Sequence, residues 1–150
     1  MNTPRPIVVG VDGSPSSLEA LKWAVGQATL TGASVQAVIA WQYPSLAGVD
    51  PITSHMNWRV NAQQTIDAAL ETILGPDRAK VSATVTEGHP AQVLLDASAH
   101  AGLLIIGNQG HGTFTEMLPD SVRAHVLTHA TCPVLVMHPA GQVSPTATTA

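Results

Sequence analysis

Five short apolar runs punctuate the chain, and stretches of helical periodicity separate them. The first, Pro6 to Asp12 (PIVVGVD), is continuous and β-branched, the pattern of a strand covered on both faces of a parallel sheet. Gly13-Ser14-Pro15 turns the chain, with Ser14 placed as a helix N-cap and Pro15 at the first helical position. Leu18, Leu21, Val25 and Ala28 recur at helical spacing, and Gly32 is a stop signal. Ser34 to Trp41 predicts a second strand. Ile66, Ala69, Leu70, Ile73 and Leu74 mark the face of a second helix that Gly75-Pro76 ends. Val81 to Glu87 alternates Val and Thr, as a strand near a sheet edge does. His89-Pro90 opens a third helix carrying Val93, Leu94, Ala97 and Ala101. Strand four starts at Leu103, helix four covers Ser121 to Ala130, and Pro133 to Met137 is strand five.

This β-α-β-α-β-α-β-α-β order predicts a doubly wound α/β domain over residues 1–138. In such folds ligands bind at the carboxyl ends of the strands, where the winding direction switches. The loops expected there start at Asp12-Gly13, after Trp41, and at Gly107. Gln42 to His55 is aperiodic and contains Pro44, Gly48 and Pro51, and loops of that length are usually functional or mobile. Trp41, Tyr43 and Trp58 bracket it, suited to stacking on a base or covering a dimer surface, and equally to core or lid packing. Residues 139–150 are small, polar and aperiodic, the composition of a disordered tail.

Charge and composition narrow the function. Six Lys and Arg against ten Asp and Glu give a net charge of −4, so no basic face offers itself to nucleic acid or anionic lipid. No apolar run reaches the ~20 residues of a membrane span, and no charged-then-apolar leader opens the sequence. The single cysteine, Cys132, excludes an internal disulfide and fits a reducing cytosol, so a cytoplasmic location is expected. Cys132 precedes strand five and reads as an inert core thiol.

The chemistry concentrates in LLIIGNQGHGTFTEMLPDS, Leu103 to Ser121, a strand that breaks into glycines before a helix start. Glycines admit close backbone approach, and the following helix N-terminus favours an anion. A P-loop is excluded, because Thr113-Phe114 stands where Lys followed by Ser or Thr is needed. Gly10-Val11-Asp12-Gly13 lacks the third glycine of a dinucleotide fingerprint. A phosphoacceptor receiver would need several acids after strand one and a late lysine; only Asp12 is present. His125 and His129 share one helix face without a third ligand, so no metal site is read. Ser14, Ser16 and Ser17 are explained by helix capping. No general base, metal cluster or arginine pair for phosphoryl transfer can be named, which points to a binding protein rather than an efficient enzyme. A hydrolase acting on nucleotides is the weaker alternative.

VVGVDGSPSSLEAL, EGHPAQVLLDASAHAGLLIIGNQGHGTF and SVRAHVLTHATCPVLVM, in that order, resemble the universal stress protein family in its single-domain actinobacterial form. The resemblance covers Ile7 to Met137. It implies a five-stranded parallel sheet in the order 3-2-1-4-5, an adenine nucleotide alpha hydrolase-like fold, and a homodimer pairing strand five (133–137) of each chain. It also implies an ATP site. Gly10, Val11, Asp12, Ile39 and Ala40 would flank adenine and ribose, while Gly107, Gly110, Gly112, Asp120, Ser121 and Val122 would hold the triphosphate. His111, in the glycine loop, could donate to a phosphate or stay solvated. The family's signature is Gly, two residues, Gly, nine residues, then Gly followed by Ser or Thr. Gly107, Gly110 and Ser121 match it, but Asp120 replaces the third glycine, and Gly102 stands where an aspartate is common. A carboxylate 4 Å from a phosphate, at an effective dielectric of 20, is worth about 4 kcal/mol of repulsion. Capping of helix four by Asp120, a bridging Mg²⁺, or Arg123 one turn on could offset it. The expected function is therefore ATP-binding stress signalling. The alternative is a dimeric interaction module of the same fold whose phosphate site Asp120 has disabled or retuned.

Overall fold

The β-branched segment Ile7–Gly10 forms β1 at the centre of the sheet, and every one of its residues is buried. The computed structural model describes residues 4–42, 57–108 and 120–138, and of residues 120 and 121 the backbone only. Around β1 the chain places α1 (Pro15–Thr31), β2 (Val35–Trp41), α2 (Trp58–Leu74), β3 (Val81–Glu87), α3 (Pro90–Ala97), β4 (Leu103–Gly107), α4 (Asp120–His129) and β5 (Val134–Met137). A 3₁₀ turn over Gly75–Lys80 follows α2.

The strands run parallel in the order β3-β2-β1-β4-β5. β1 lies in register with β2 at Ile7↔Val35 and with β4 at Ile7↔Leu103. Alternation along each strand sends side chains to two separate cores. Ile7, Val9, Ala37, Ile39 and Ile105 pack with Leu21 and Ala24 of α1 and with Ile66 and Leu70 of α2. Val8, Val38, Ala40, Leu104 and Ile106 pack with Val93 and Leu94 of α3 and with Val122 and Val126 of α4. The winding direction thus reverses between β1 and β4, and their carboxyl ends form the switch point.

Element boundaries depart from the sequence pattern by a residue at the starts of β1, β2 and β5 and the end of α4, and at three further places. β1 stops at Gly10: Val11 N still donates to Val38 O at 2.8 Å, but the Asp12 carboxylate then turns the chain by accepting from Ser14 N. α3 stops at Ala97, short of the expected Ala101, because Ser98 Oγ donates to Leu95 O and ends the helix. Ala101 still enters the core, as a buried residue leading into β4. α4 starts at Asp120, one residue earlier than the pattern from Ser121. Of the expected loop Gln42 to His55, residues 43–55 lie outside the described residues, as does the expected tail, 139–150.

Candidate functional site

Asp12 stands at the carboxyl end of β1 and is 1% exposed. Its backbone neighbours are tied into one turn. Asp12 Oδ1 accepts from Ser14 N at 2.8 Å, and Ser14 Oγ caps α1 by accepting from Ser17 N at 3.2 Å. Ser17 Oγ donates to Ser14 O at 2.9 Å, and the Ser14 and Ser16 hydroxyls lie 3.3 Å apart. All three serines are fully buried, so capping accounts for them, as expected. Asp12 Oδ2 is different: it is buried and has no hydrogen-bond partner. Such an atom costs the fold free energy unless something else supplies a donor.

Asp12 also lines a narrow crevice, with Gly10, Val11, Val38, Ala40, Pro90 and Leu94. Gly10, Val11, Asp12 and Ala40 were expected here on the family resemblance, and the structure brings these four together. Ile39 falls on the other side of the sheet, in the core beneath α1 and α2, because alternation along β2 sends Val38 and Ala40 toward the crevice. Val38, Pro90 and Leu94 were not foreseen as lining residues. The period-two pattern of β2 and the position of Pro90 at the start of α3 are the signals that carry them.

Gly107 ends β4 directly beside this turn. A Cβ built there would lie 2.4 Å from Ser16 Oγ and 2.9 Å from Ser17 N. Glycine at 107 is therefore what lets the first turn of α1 close on β4. The next residue is held on three sides. Asn108 N donates to Met137 O at 2.7 Å, its carbonyl accepts from the Arg123 guanidinium, and its amide meets His138 Nδ1 at 3.0 Å. Arg123, considered as a counter-charge to Asp120, thus ties α4 to the exit of β4.

Gly110, His111 and Gly112 lie outside the described residues, as do the side chains of Asp120 and Ser121. The backbone puts Asp120 inside the first turn of α4 rather than ahead of it as a cap. Val122 is buried and, with His89, Ala91, Gln92 and His125, lines a groove between α3 and α4. His125 and His129 stack with ring centroids 4.2 Å apart, and among the described residues no group of three or more His, Cys, Asp or Glu could hold a metal. Burial pushes the Cys132 thiol up from its usual range, with hydrogen bonds from Ser98 and the Leu104 backbone partly offsetting it, as suits an unreactive thiol. A second buried atom without a partner, Trp58 Nε1, opens α2.

The sequence and the sheet order match a known family. The family profile described as "Universal stress protein family" matches residues 3–138. A universal stress protein of Mycolicibacterium smegmatis is 32% identical over 139 residues, covering 89% of this chain and 46% of its own length. This chain thus spans about half of that relative. Among solved structures, a universal stress protein in complex with cAMP is 27% identical with a TM-score of 0.55, covering 93% of this chain and all of the other. UspA of Lactobacillus plantarum, 20% identical and covering 91% of this chain and 99% of its own, has the same fold at a TM-score of 0.69. No described helix is long and apolar enough to cross a membrane. The chain belongs to the universal stress protein family.

Proposed function

We propose that this protein binds an adenine nucleotide across the carboxyl edge of the sheet and serves as a stress-signalling module rather than as an efficient catalyst. The observation that carries this reading is the buried, unpartnered Oδ2 of Asp12, a residue that lines the switch-point crevice. A nucleoside amino or hydroxyl group would supply the missing donor. Gly10, Val11, Asp12 and Ala40 would seat the nucleoside. The phosphates would lie toward Gly107 and the first turn of α4, with Gly110, His111, Gly112, Asp120, Ser121 and Val122 as the remaining contacts. A relative at 27% identity was solved with cAMP, which supports the ligand class. ATP is the specific nucleotide to which the spacing of Gly107, Gly110 and Ser121 points, and Mg²⁺ would help it past Asp120.

The partner in this reading is a second copy of the chain. Among the described residues β5 pairs only with β4, and its residues Val134 to Met137 are half-buried and uncharged, an edge suited to pairing with its own kind. Light scattering should give a dimer mass.

The site is tested by titrating ATP, AMP and cAMP, with and without Mg²⁺, into wild type and Asp12→Asn. The amide keeps the shape but halves the acceptor capacity and removes the charge. Affinity should fall about tenfold or more, because a hydrogen bond to a charged group is worth about 1.5–3 kcal/mol. Equal affinity in both proteins would refute the seat assigned to Asp12. If AMP and cAMP bind while ATP does not, the retuned-site alternative is the correct one.

A further inference from the structure

Two buried side-chain atoms among the described residues have no hydrogen-bond partner, Asp12 Oδ2 and Trp58 Nε1. One is an acceptor and the other a donor. Both stand at the carboxyl edge of the sheet, since Trp58 is the first residue of α2, the helix that follows β2. The rest of the Trp58 ring packs against the core beneath α1 and α2, so the indole is held in place while its N–H goes unserved. A ligand with both a donor and an acceptor would complete the pair.

A Cβ built on Gly13 would stand 3.0 Å from Thr65 Cγ2, which puts Thr65 level with the turn after Asp12. Trp58 lies two helical turns before Thr65, roughly 10 Å further along α2 at about 1.5 Å per residue. The crevice over Asp12 holds about 10 Å³, room for one amino or hydroxyl group and not for a ring. The base must therefore lie outside it. A groove of about 440 Å³ lies between α1 and α2, on the face of the sheet opposite the crevice, and runs from Gly13 and Leu18 along α2 between Asn61 and Thr72, with Asn61 one turn from Trp58. Sheet order sets the direction. α2 joins β2 to β3, on the side of β1 remote from β4 and Gly107. A nucleotide whose phosphates lie toward Gly107 turns its base toward α2.

We infer that Trp58 anchors the base, its indole N–H donating to a ring nitrogen of adenine while the same nucleoside donates to Asp12. This rests on the nucleotide reading above.

Trp58→Phe keeps a ring and removes the donor. Because that donor is unserved without ligand, the unliganded variant should melt at the wild-type temperature or above it. Its affinity for adenosine should nonetheless fall about tenfold, since the base nitrogen is left unpaired. Adenosine is the probe because it leaves the phosphate contacts out. One of 1-deaza-, 3-deaza- and 7-deazaadenosine should bind wild type about tenfold more weakly than adenosine and lose nothing further on Trp58→Phe. Equal binding of adenosine by both proteins overturns the role of Trp58. So does weaker binding accompanied by a lowered melting temperature of the unliganded variant, and so does an additive loss with all three analogues. A wild type that binds none of adenosine, AMP, cAMP and ATP overturns the nucleotide reading itself.

Discussion

Gly107→Ala separates two explanations for one glycine. The sequence places Gly107 first in a phosphate-binding signature, where a bare backbone would admit a ligand. The structure gives it another task, since the added methyl would lie 2.4 Å from Ser16 Oγ, 2.9 Å from Ser17 N and 3.1 Å from Ser16 C. Two of those three atoms are backbone in the first turn of α1, and Ser16 is fully buried. Rotating a side chain cannot relieve the contact, so α1 must shift away from β4. Overpacking of this kind costs about 1–3 kcal/mol, and backbone on both sides of the contact argues for the upper end. At about 2–4 °C per kcal/mol for a domain of this size, the melting temperature should fall by roughly 5–10 °C. Gly10→Ala is the internal control. Its methyl would meet Leu94 Cδ2 at 3.0 Å, a side-chain end that can rotate, so about 1 kcal/mol is expected. Thermal melts by circular dichroism, without and with nucleotide, read both. A Gly107→Ala protein as stable as wild type but weakened in nucleotide binding would refute the packing account and restore the phosphate one.

Other consequences follow from the same turn and from β5. Ser14→Ala removes the cap on Ser17 N and a partner of Ser16 and should cost about 1 kcal/mol, read by urea denaturation; no change in midpoint would show that the cap is dispensable. Burial raises the Cys132 thiol, so the folded state favours the protonated form. That contribution to stability is complete below the unfolded thiol's titration and is lost as pH rises through the folded one's. Iodoacetamide should therefore modify native protein more slowly than urea-unfolded protein between pH 7 and 9, and matching rates would contradict the shift.

Most of the fold was legible because its elements are buried on both sides. β1, β2 and β4 read as continuous apolar runs, and Ser14-Pro15 and Gly32 bracket α1 as they do in the structure. Boundaries were lost where side chains compete with the backbone ladder, at Asp12 after β1 and at Ser98 after α3. In the site, Asp12 was visible as the acid after a buried strand. Ile39 was carried over with Ala40 on the family resemblance, whereas the parity of β2 sends its side chain to the opposite core. Leu94 was seen as a helix-face residue, but its contact with Gly10 depends on how α3 crosses the sheet, which no local pattern records. The role of Gly107 was also out of reach, since the Ser16 turn that needs it is about ninety residues away in sequence.

Asp120 is where sequence and structure bear on each other most directly. The repulsion of about 4 kcal/mol assigned to a carboxylate beside a phosphate would alone be worth roughly three decades of affinity. The place of Asp120 at the start of α4, where an acid is favoured by about 0.3–1 kcal/mol, acts on stability with or without ligand, and one fact reduces the repulsion itself. Arg123 sits one turn later with its guanidinium at the Asn108 carbonyl, which brings positive charge to the entrance of the glycine loop. Asp120→Gly should therefore tighten ATP binding by one to two decades, less than the bare Coulomb figure, and should lower unliganded stability by about 1 kcal/mol through the lost helix interaction and the added chain freedom. Binding of adenosine, which has no phosphate to repel, should not change. Raising the salt concentration should shrink the ATP gain, because screening weakens only the charge term. An ATP affinity indifferent to Asp120→Gly at low salt would mean that the carboxylate does not face the phosphates. Asp120 would then be a helix residue, and the departure from the family signature would have no consequence for the ligand.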